Sequence, residues 1–128
     1  MRYKISEIQL AGNKQANDAK AMLVLLNEQM HENVTMHFTN ANAGRAKTRI
    51  KHFTIPIHAL KSCETYLLYY VIHEFTHCIT NKMHDTKFKF TESALCSQFG
   101  ISIDYARAYP KRLYYNGQTV YEKKGLRK

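Results

Sequence analysis

The apolar run YLLYYVI, residues 66–72, is followed at once by His73, Glu74 and His77 in the segment HEFTH. This run is apolar nearly all round a helix, which predicts a buried central helix over residues 62 to about 80. Burying an ionised carboxylate between imidazoles costs free energy unless a partner compensates it. A metal ion is such a partner, and it would explain why these polar residues end the most hydrophobic segment of the chain.

The spacing of these residues fits a zinc site. His73 and His77 are four positions apart, so on a helix their rings lie on one face about one turn from each other. Two imidazoles so placed can reach one zinc ion at about 2.0–2.1 Å each. Glu74 is rotated away from them and can take a proton from a zinc-acidified water, which is the HExxH arrangement. We therefore predict His73 and His77 as ligands and Glu74 as the catalytic residue.

His84 is the expected third ligand. On a straight helix it would lie about 10 Å beyond His77, at ~1.5 Å per residue, and one ion could not contact both. The helix must therefore end soon after His77 and the chain must fold back. Asn81 favours this, because asparagine can adopt left-handed geometry at a helix end. Water would take the fourth position, and a metal-free hydrogen-bond network among the same groups is the alternative.

Length and composition predict one domain over residues 1–128, because 128 residues with 45% hydrophobic content can bury a single core. No segment approaches the roughly 20 apolar residues that cross a bilayer, and charges spread through MRYKISEIQLAGNK argue against a signal peptide. The three widely spaced cysteines, without a CxxC pair, predict free thiols in a reducing compartment. We expect a cytoplasmic monomer that does not bind membranes.

The periodicity before the central helix predicts one helix and two strands. Asn13 or Asn17 can cap a helix that ends near residue 31 and carries an apolar stripe at 3.6-residue spacing, formed by Ala19, Met22, Leu23, Leu26 and Met30. A short extended start is expected at Tyr3, Ile5 and Ile8. Residues 34–39 alternate as in a half-buried strand, and RIKHFTIPI, residues 49–57, predicts a second strand. Pro56 cannot donate to a ladder, which places the end of that strand at an edge or a bulge.

After the central helix the sequence predicts a third helix and a hairpin. Asp85 or Thr86 can cap the helix, which carries Phe88, Leu95 and Phe99 and stops at Gly100. Asn116-Gly117 is a strong two-residue turn, so we expect a hairpin over about 111–122 and a frayed tail over 123–128. The predicted fold class is therefore α+β, with a small antiparallel sheet packed on helices and a central HExxH helix, as in zincins.

The formal net charge of +9 favours contact with polyanions. Arg45, Lys47, Arg49 and Lys51 alternate and would project to one side of an extended strand. Further basic and aromatic residues could enlarge that surface and stack on bases, namely Lys87, Lys89, Lys111, Arg112, Tyr114 and Tyr115. A solvated basic face without a partner explains the same pattern.

With these residues placed, the chain resembles the SprT-like zinc metallopeptidases, the family that includes the Spartan-type proteases acting on DNA–protein crosslinks. The likeness extends from about residue 20 to 112. It rests on the segment MHFTNANAGRAKTRIKHFTIPI with its AGRA element, on HEFTH, on HDTKF from His84 to Phe88, and more weakly on CSQFGISIDYARAYPK. It implies zinc ligands His73, His77 and His84, with Glu74 as general acid/base. Asp85 departs from the family's glycine, and Cys96 alone cannot supply the four-cysteine ribbon of many relatives.

The sequence is compatible with three functions. The first is a zinc-dependent endopeptidase that cleaves a protein or peptide substrate paired along RIKHFTIPI, with Tyr105, Arg107 or Tyr109 as the second electrophile for the oxyanion. The second is a basic nucleic-acid-binding module whose zinc site is structural or vestigial. The third is a small amidase that uses the same zinc ligands. Glu74 separates the first two, because a structural zinc site needs no glutamate beside its ligands.

Overall fold

The computed structural model describes residues 12–81, 84–107 and 109–123. The expected extended start and most of the expected frayed tail lie outside these residues. Within them the chain is α+β, as predicted, with three α-helices, six strands and one 3-10 helix. In chain order these are α1 Lys14–Met30, β1 Thr35–Thr39, β2 Arg45–Lys47, β3 His52–Pro56, the 3-10 helix Ile57–Lys61, α2 Glu64–Thr80, α3 Thr86–Ser97, β4 Ile101–Tyr105, β5 Pro110–Tyr115 and β6 Gln118–Glu122.

Side-chain caps set the helix boundaries. The Asn13 side chain accepts a hydrogen bond from the amide of Ala16 at 2.8 Å, and Asp85 does the same for the amide of Phe88 at 2.8 Å. Each cap satisfies a backbone donor that has no partner inside its helix. The end of α2 falls at Asn81, whose φ of 52° is left-handed. The predicted reversal of the chain after the central helix is therefore present.

The first sheet has the strand order β1-β3-β2 and is mixed. The two predicted strands, β1 and β3, pair parallel, whereas the short β2 pairs antiparallel with β3. The expected all-antiparallel sheet therefore needs correction. Periodicity along a strand reveals which face is buried, whereas the direction of pairing depends on how the connection between strands crosses the sheet.

The predicted strand over residues 49–57 is shorter than expected and lies in the centre of its sheet. Residues 48–51 form a turn in which Lys51 has a φ of 50° and its amide donates to the Thr48 carbonyl at 3.3 Å. The strand begins after this turn, and Pro56 is its last residue. Its neighbours β1 and β2 form the two edges of the sheet, and β2 was not predicted as a separate strand.

The second sheet is antiparallel, with the order β4-β5-β6. The predicted hairpin is confirmed in β5 and β6, whose turn residues Asn116 and Gly117 both have positive φ, at 50° and 87°. Such φ values are typical of the tight turn that matches strand twist. The third strand, β4, was not predicted.

The central helix α2 contacts α1, α3 and strands of both sheets, so most of the core forms around it. Leu67, Val71, Ile72 and Phe75 of this helix are fully buried. On α1, the buried stripe comprises Ala16, Ala19, Met22 and Leu26, while Met30 is 36% exposed at the helix end. None of the helices within the described residues combines the length and apolar character that crossing a membrane requires.

Candidate metal centre

Three histidine rings converge where α2 ends and the chain turns back. His73 is buried and His77 half-buried on α2, while His84 comes from the segment that leads into α3. Nε2 of His84 lies 3.0 Å from Nε2 of His77 and 3.1 Å from Nε2 of His73. One ligand atom from each residue lies within 4.8 Å of the others. The three predicted ligands are therefore close enough together to hold one metal ion.

These separations suit a small tetrahedral ion. Ligand nitrogens at about 2.0–2.1 Å from a tetrahedral zinc are about 3.3 Å apart, close to the two nitrogen separations at His84. Burial lowers the pKa of His84 to about 4, and the neighbouring His73 and His77 make smaller contributions in the same direction. His84 is therefore neutral at physiological pH, which is the form that binds a metal.

Glu92 on α3 orients the His73 ring. Its Oε2 lies 2.5 Å from Nδ1 of His73, and its Oε1 accepts a hydrogen bond from the Tyr105 hydroxyl at 2.6 Å. A carboxylate at Nδ1 holds the proton on that nitrogen, so Nε2 keeps its lone pair for a metal. Glu92 is fully buried, and its role was not predicted from the sequence. Its signal was a charged residue on the stripe that otherwise carries Phe88, Leu95 and Cys96.

Phe88 supports all three imidazoles from the α3 side. It is fully buried, and its ring centroid lies 5.2 Å from that of His73, 4.4 Å from that of His77 and 5.2 Å from that of His84. Asp85, which replaces the expected glycine, caps α3 through the amide of this same Phe88. Asp85, at which the chain differs from the SprT-like pattern, therefore supports the local structure of the centre.

Glu74 lies in the wall of the same cavity as the three histidines. Its side chain is buried, and this burial raises its pKa to about 7. The Glu92 charge adds to the increase, whereas His73 opposes it. A general base works best when its pKa is near the operating pH. In the metal-free chain the pKa of Glu74 lies in that range, and its carboxyl group is in the cavity wall beside the histidines.

The cavity in front of the histidines has a volume of about 490 Å³. Gly44, Arg45 and Ala46 line it together with His73, Glu74, His77, His84 and Tyr109. Because β2 is an edge strand, its residues border this opening with one side of their backbone unpaired within the sheet. An extended chain could therefore lie between β2 and the histidines.

A close backbone contact holds β2 against α2. The Gly44 amide donates to the Tyr70 hydroxyl at 2.7 Å. A Cβ at Gly44 would clash with the Thr54 carbonyl oxygen and lie 2.9 Å from Cε1 of Tyr70. The glycine of the AGRA element is thus required for its small size, since a Cβ there would meet both the β3 backbone and the Tyr70 ring.

Of the three residues considered for oxyanion stabilisation, Tyr109 borders the cavity. Its ring centroid lies 5.6 Å from that of His73 and 4.9 Å from that of His84, and its side chain is 57% exposed. The Tyr105 hydroxyl instead donates to Glu92. Arg107 is exposed and does not line the cavity. Tyr109 is therefore the best placed of the three.

The predicted basic residues do not form one continuous strand face. Arg45 and Lys47 lie on β2, whereas Arg49 and Lys51 are in the turn that follows, where Lys51 pairs with Glu32 at 2.5 Å. Arg112 pairs with Glu122 at 2.7 Å and with Asp104 at 3.3 Å. Of these basic residues, Arg45 lines the cavity.

No protein-family model matches the chain, and no curated protein or solved structure is detectably similar to it. The histidine centre and its cavity are therefore the basis for assigning a function.

Proposed function

We propose that this protein is a zinc-dependent endopeptidase of the SprT-like type. The observation that carries the proposal is the convergence of the His73, His77 and His84 imidazoles beside buried Glu74, in a cavity bordered by an edge strand. A structural zinc site needs no glutamate beside its ligands and normally has its fourth position closed by a protein ligand. Both features are expected of a hydrolytic site.

Zinc is the metal that fits these ligands. Three neutral imidazoles are a common ligand set for catalytic zinc, whereas magnesium and calcium prefer oxygen ligands. The contact between Glu92 and Nδ1 of His73 leaves Nε2 available on the side where the three rings meet. Bound there, zinc would acidify a water molecule and polarise the carbonyl of a peptide bond.

Glu74 acts as the general base and then as the general acid. Its carboxylate takes the proton from the attacking water and passes it to the leaving amine. Burial raises the pKa of Glu74 in the metal-free chain, which favours accepting the proton, whereas the charge of a bound zinc would lower that pKa and favour its release. The Tyr109 hydroxyl donates a hydrogen bond to the developing oxyanion, so no charged side chain is needed beside that oxygen.

The substrate backbone pairs with β2. Peptides commonly add as a strand to an exposed sheet edge, where main-chain hydrogen bonds provide affinity without selecting a sequence. Gly44, Arg45 and Ala46 line the cavity that also contains Glu74, so a strand added here would pass the histidines. In this proposal the substrate therefore pairs with β2, and not with residues 49–57 as the sequence had suggested.

Nucleic-acid binding is the second candidate function, and it is compatible with the first. The net charge of +9 and the exposed Arg45 and Lys47 on β2 favour a DNA-associated substrate, as the SprT-like resemblance implies. A protein that only binds nucleic acid would use zinc structurally, and Glu74 would then be dispensable. Binding to a DNA duplex should weaken steeply as salt rises from about 50 to 200 mM, whereas a flat salt response contradicts the basic-surface contribution.

Glu74→Gln is the decisive variant for the peptidase. Glutamine keeps the size of the side chain but cannot accept the proton, so we expect unchanged zinc content and peptide cleavage reduced at least ~100-fold. Glu64→Gln, on the exposed first turn of the same helix, is the matched control and should cleave normally. Cleavage by Glu74→Gln at the wild-type rate would eliminate the proposed mechanism.

A further inference from the structure

A second cavity, of about 320 Å³, adjoins the metal centre. It shares Gly44, His73, Glu74 and Tyr109 with the first cavity. The rest of its lining is mainly aromatic and comes from Tyr66, Tyr69 and Tyr70 on α2 and Tyr121 on β6. We call it the tyrosine pocket. At the small end of the ~300–1,000 Å³ range of ligand sites, it has room for one large side chain and not for a whole cofactor.

Contacts between the rings hold the walls of the tyrosine pocket in place. Tyr121 stacks on Tyr66 with ring centroids 4.6 Å apart, and Tyr66 meets Tyr70 edge-on at 5.8 Å. The Tyr70 hydroxyl accepts from the Gly44 amide, while the Tyr69 hydroxyl lies 3.2 Å from Nδ1 of His73. The pocket is therefore built before a ligand arrives, and its walls are tied to the same groups that position the metal centre.

Tyrosine rings dominate the lining of the tyrosine pocket, which also contains the cationic Lys123 and the acidic Glu74. Lys123 contributes to its lining, and its backbone amide is fixed by a 2.9 Å hydrogen bond to the Lys111 carbonyl. Burial raises the pKa of Tyr66 to about 12, so this ring stays neutral at physiological pH. Glu74 also borders the pocket, but in the proposed mechanism it is engaged with the attacking water. An uncharged aromatic ring is the best match to such walls, since aromatic pairs gain contact beyond simple area burial.

We propose that the tyrosine pocket receives the substrate side chain next to the cleaved bond and selects phenylalanine or tyrosine there. The proposal rests on the peptidase function, because the shared Glu74 and His73 place the pocket beside the bond being broken. Substrate backbone would pair with β2 while one aromatic side chain enters the pocket. Specificity would then come from this pocket and not from the backbone pairing.

Matched peptides test the selection directly. Each set varies one residue on either side of the cleaved bond among Phe, Leu, Ala and Arg, and mass spectrometry gives kcat/KM for each bond. On one side of the bond we expect kcat/KM for the Phe peptide to exceed that for the Ala peptide by at least ~10-fold, because the ring fills the apolar pocket. The value for the Arg peptide should be lower than that for the Phe peptide. Equal rates for Phe and Ala, or a preference for Arg through cation–π contacts, would overturn the proposal.

Two variants connect the preference to the pocket. Tyr121→Ala removes the ring stacked on Tyr66 and should reduce the Phe-to-Ala ratio several-fold, mainly through KM, while zinc content stays constant. Lys123→Glu, at an exposed position, should raise cleavage of the Arg peptide relative to the Phe peptide. Tyr115→Ala, on the same sheet but outside the pocket lining, is the control and should leave both ratios unchanged. Unchanged ratios in both pocket variants would also overturn the proposal.

A binding measurement separates failure of the pocket from failure of the peptidase. If zinc-loaded wild-type protein cleaves none of the peptides, the proposed function fails, and p-cresol then serves as a probe of the pocket alone. We expect p-cresol to shift the ring resonances of Tyr66 and Tyr121 in NMR spectra, and Tyr121→Ala to weaken its binding. Absence of any shift at these rings would overturn the pocket itself.

Discussion

The Glu92 carboxylate lies 2.5 Å from Nδ1 of His73, while Nε2 of the same ring lies 3.1 Å from Nε2 of His84. One imidazole thus faces a buried carboxylate with one nitrogen and the histidine cluster with the other. The hydrogen bond from Tyr105 completes the surroundings of Glu92. Carboxylates in this position fix the tautomer and the orientation of a ligand and raise its basicity.

Replacing Glu92 should therefore weaken zinc binding without removing a ligand. In Glu92→Gln we expect zinc affinity to fall about 10–100-fold, the usual effect of losing an outer partner of a ligating histidine. Competition with a coloured chelator measures this change. Glu28→Gln, at an exposed position on α1, is the control and should bind zinc normally. Wild-type affinity in Glu92→Gln would contradict the positioning role.

Gly44→Ala should destabilise the protein and disable the cavity. The added methyl group has no space between the Thr54 carbonyl and the Tyr70 ring, so the backbone at Gly44 must move away from both β3 and α2. Overpacking of this kind costs about 1–3 kcal/mol, which denaturant unfolding can detect. Tyr70→Phe removes the hydrogen bond to Gly44 but adds no volume, and we expect a smaller loss of about 1 kcal/mol. Equal stability of Gly44→Ala and wild type would show that this contact is not tight.

The stability of the metal-free protein should depend on pH through Glu74. Its folded pKa of about 7 lies above the ordinary value of 4.5, mainly because of burial. Between these values the folded chain binds more protons than the unfolded chain, so stability falls as pH rises through this window and stays lower above it. In the presence of a chelator, Glu74→Gln should be more stable than wild type at pH 8 by roughly 3 kcal/mol, at about 1.36 kcal/mol per pKa unit.

The two proteins should have similar stability near pH 4, where Glu74 is protonated in both states. Denaturant unfolding at a series of pH values measures the difference. A constant difference between wild type and Glu74→Gln from pH 4 to pH 8 would mean that Glu74 does not titrate in the buried environment described here.

Tyr109→Phe should affect turnover more than substrate binding. Removing one oxyanion donor costs about 10²–10³-fold in kcat in enzymes where such donors have been removed. In Tyr109→Phe we expect kcat to fall by an amount approaching that range, with KM and zinc content nearly unchanged. Tyr114→Phe, which alters a tyrosine outside the lining of both cavities, is the matched control. A change confined to KM would instead indicate that Tyr109 only contacts substrate.

The parts of the fold that depend on local chemistry could be predicted from the sequence. Asn13 and Asp85 cap helices, Asn81 ends α2, and Asn116-Gly117 turns a hairpin, because each acts on its own backbone within a few residues. The three converging histidines followed from the same reasoning, since their spacing required a helix end before His84. Such features need no knowledge of distant neighbours.

The parts that depend on distant neighbours could not be predicted. β2 contains only Arg45, Ala46 and Lys47, and its strand geometry comes from pairing with β3. The parallel direction of β1 depends on the path of the chain between the strands and not on its own residues. The role of Glu92 required knowing that α3 packs with this carboxylate against His73, a contact between residues far apart in the sequence.

The central claim is that His73, His77 and His84 hold one catalytic metal ion, and elemental analysis of the purified protein tests it most directly. We predict about one zinc ion per chain in the wild type, strongly reduced zinc in His84→Ala, and full zinc in His58→Ala, whose ring instead contacts the Asn42 carbonyl at 2.7 Å. A zinc-loaded wild type that loses its metal with His84 would support the account. A wild type that binds no zinc, or a His84→Ala variant that retains it fully, would contradict it.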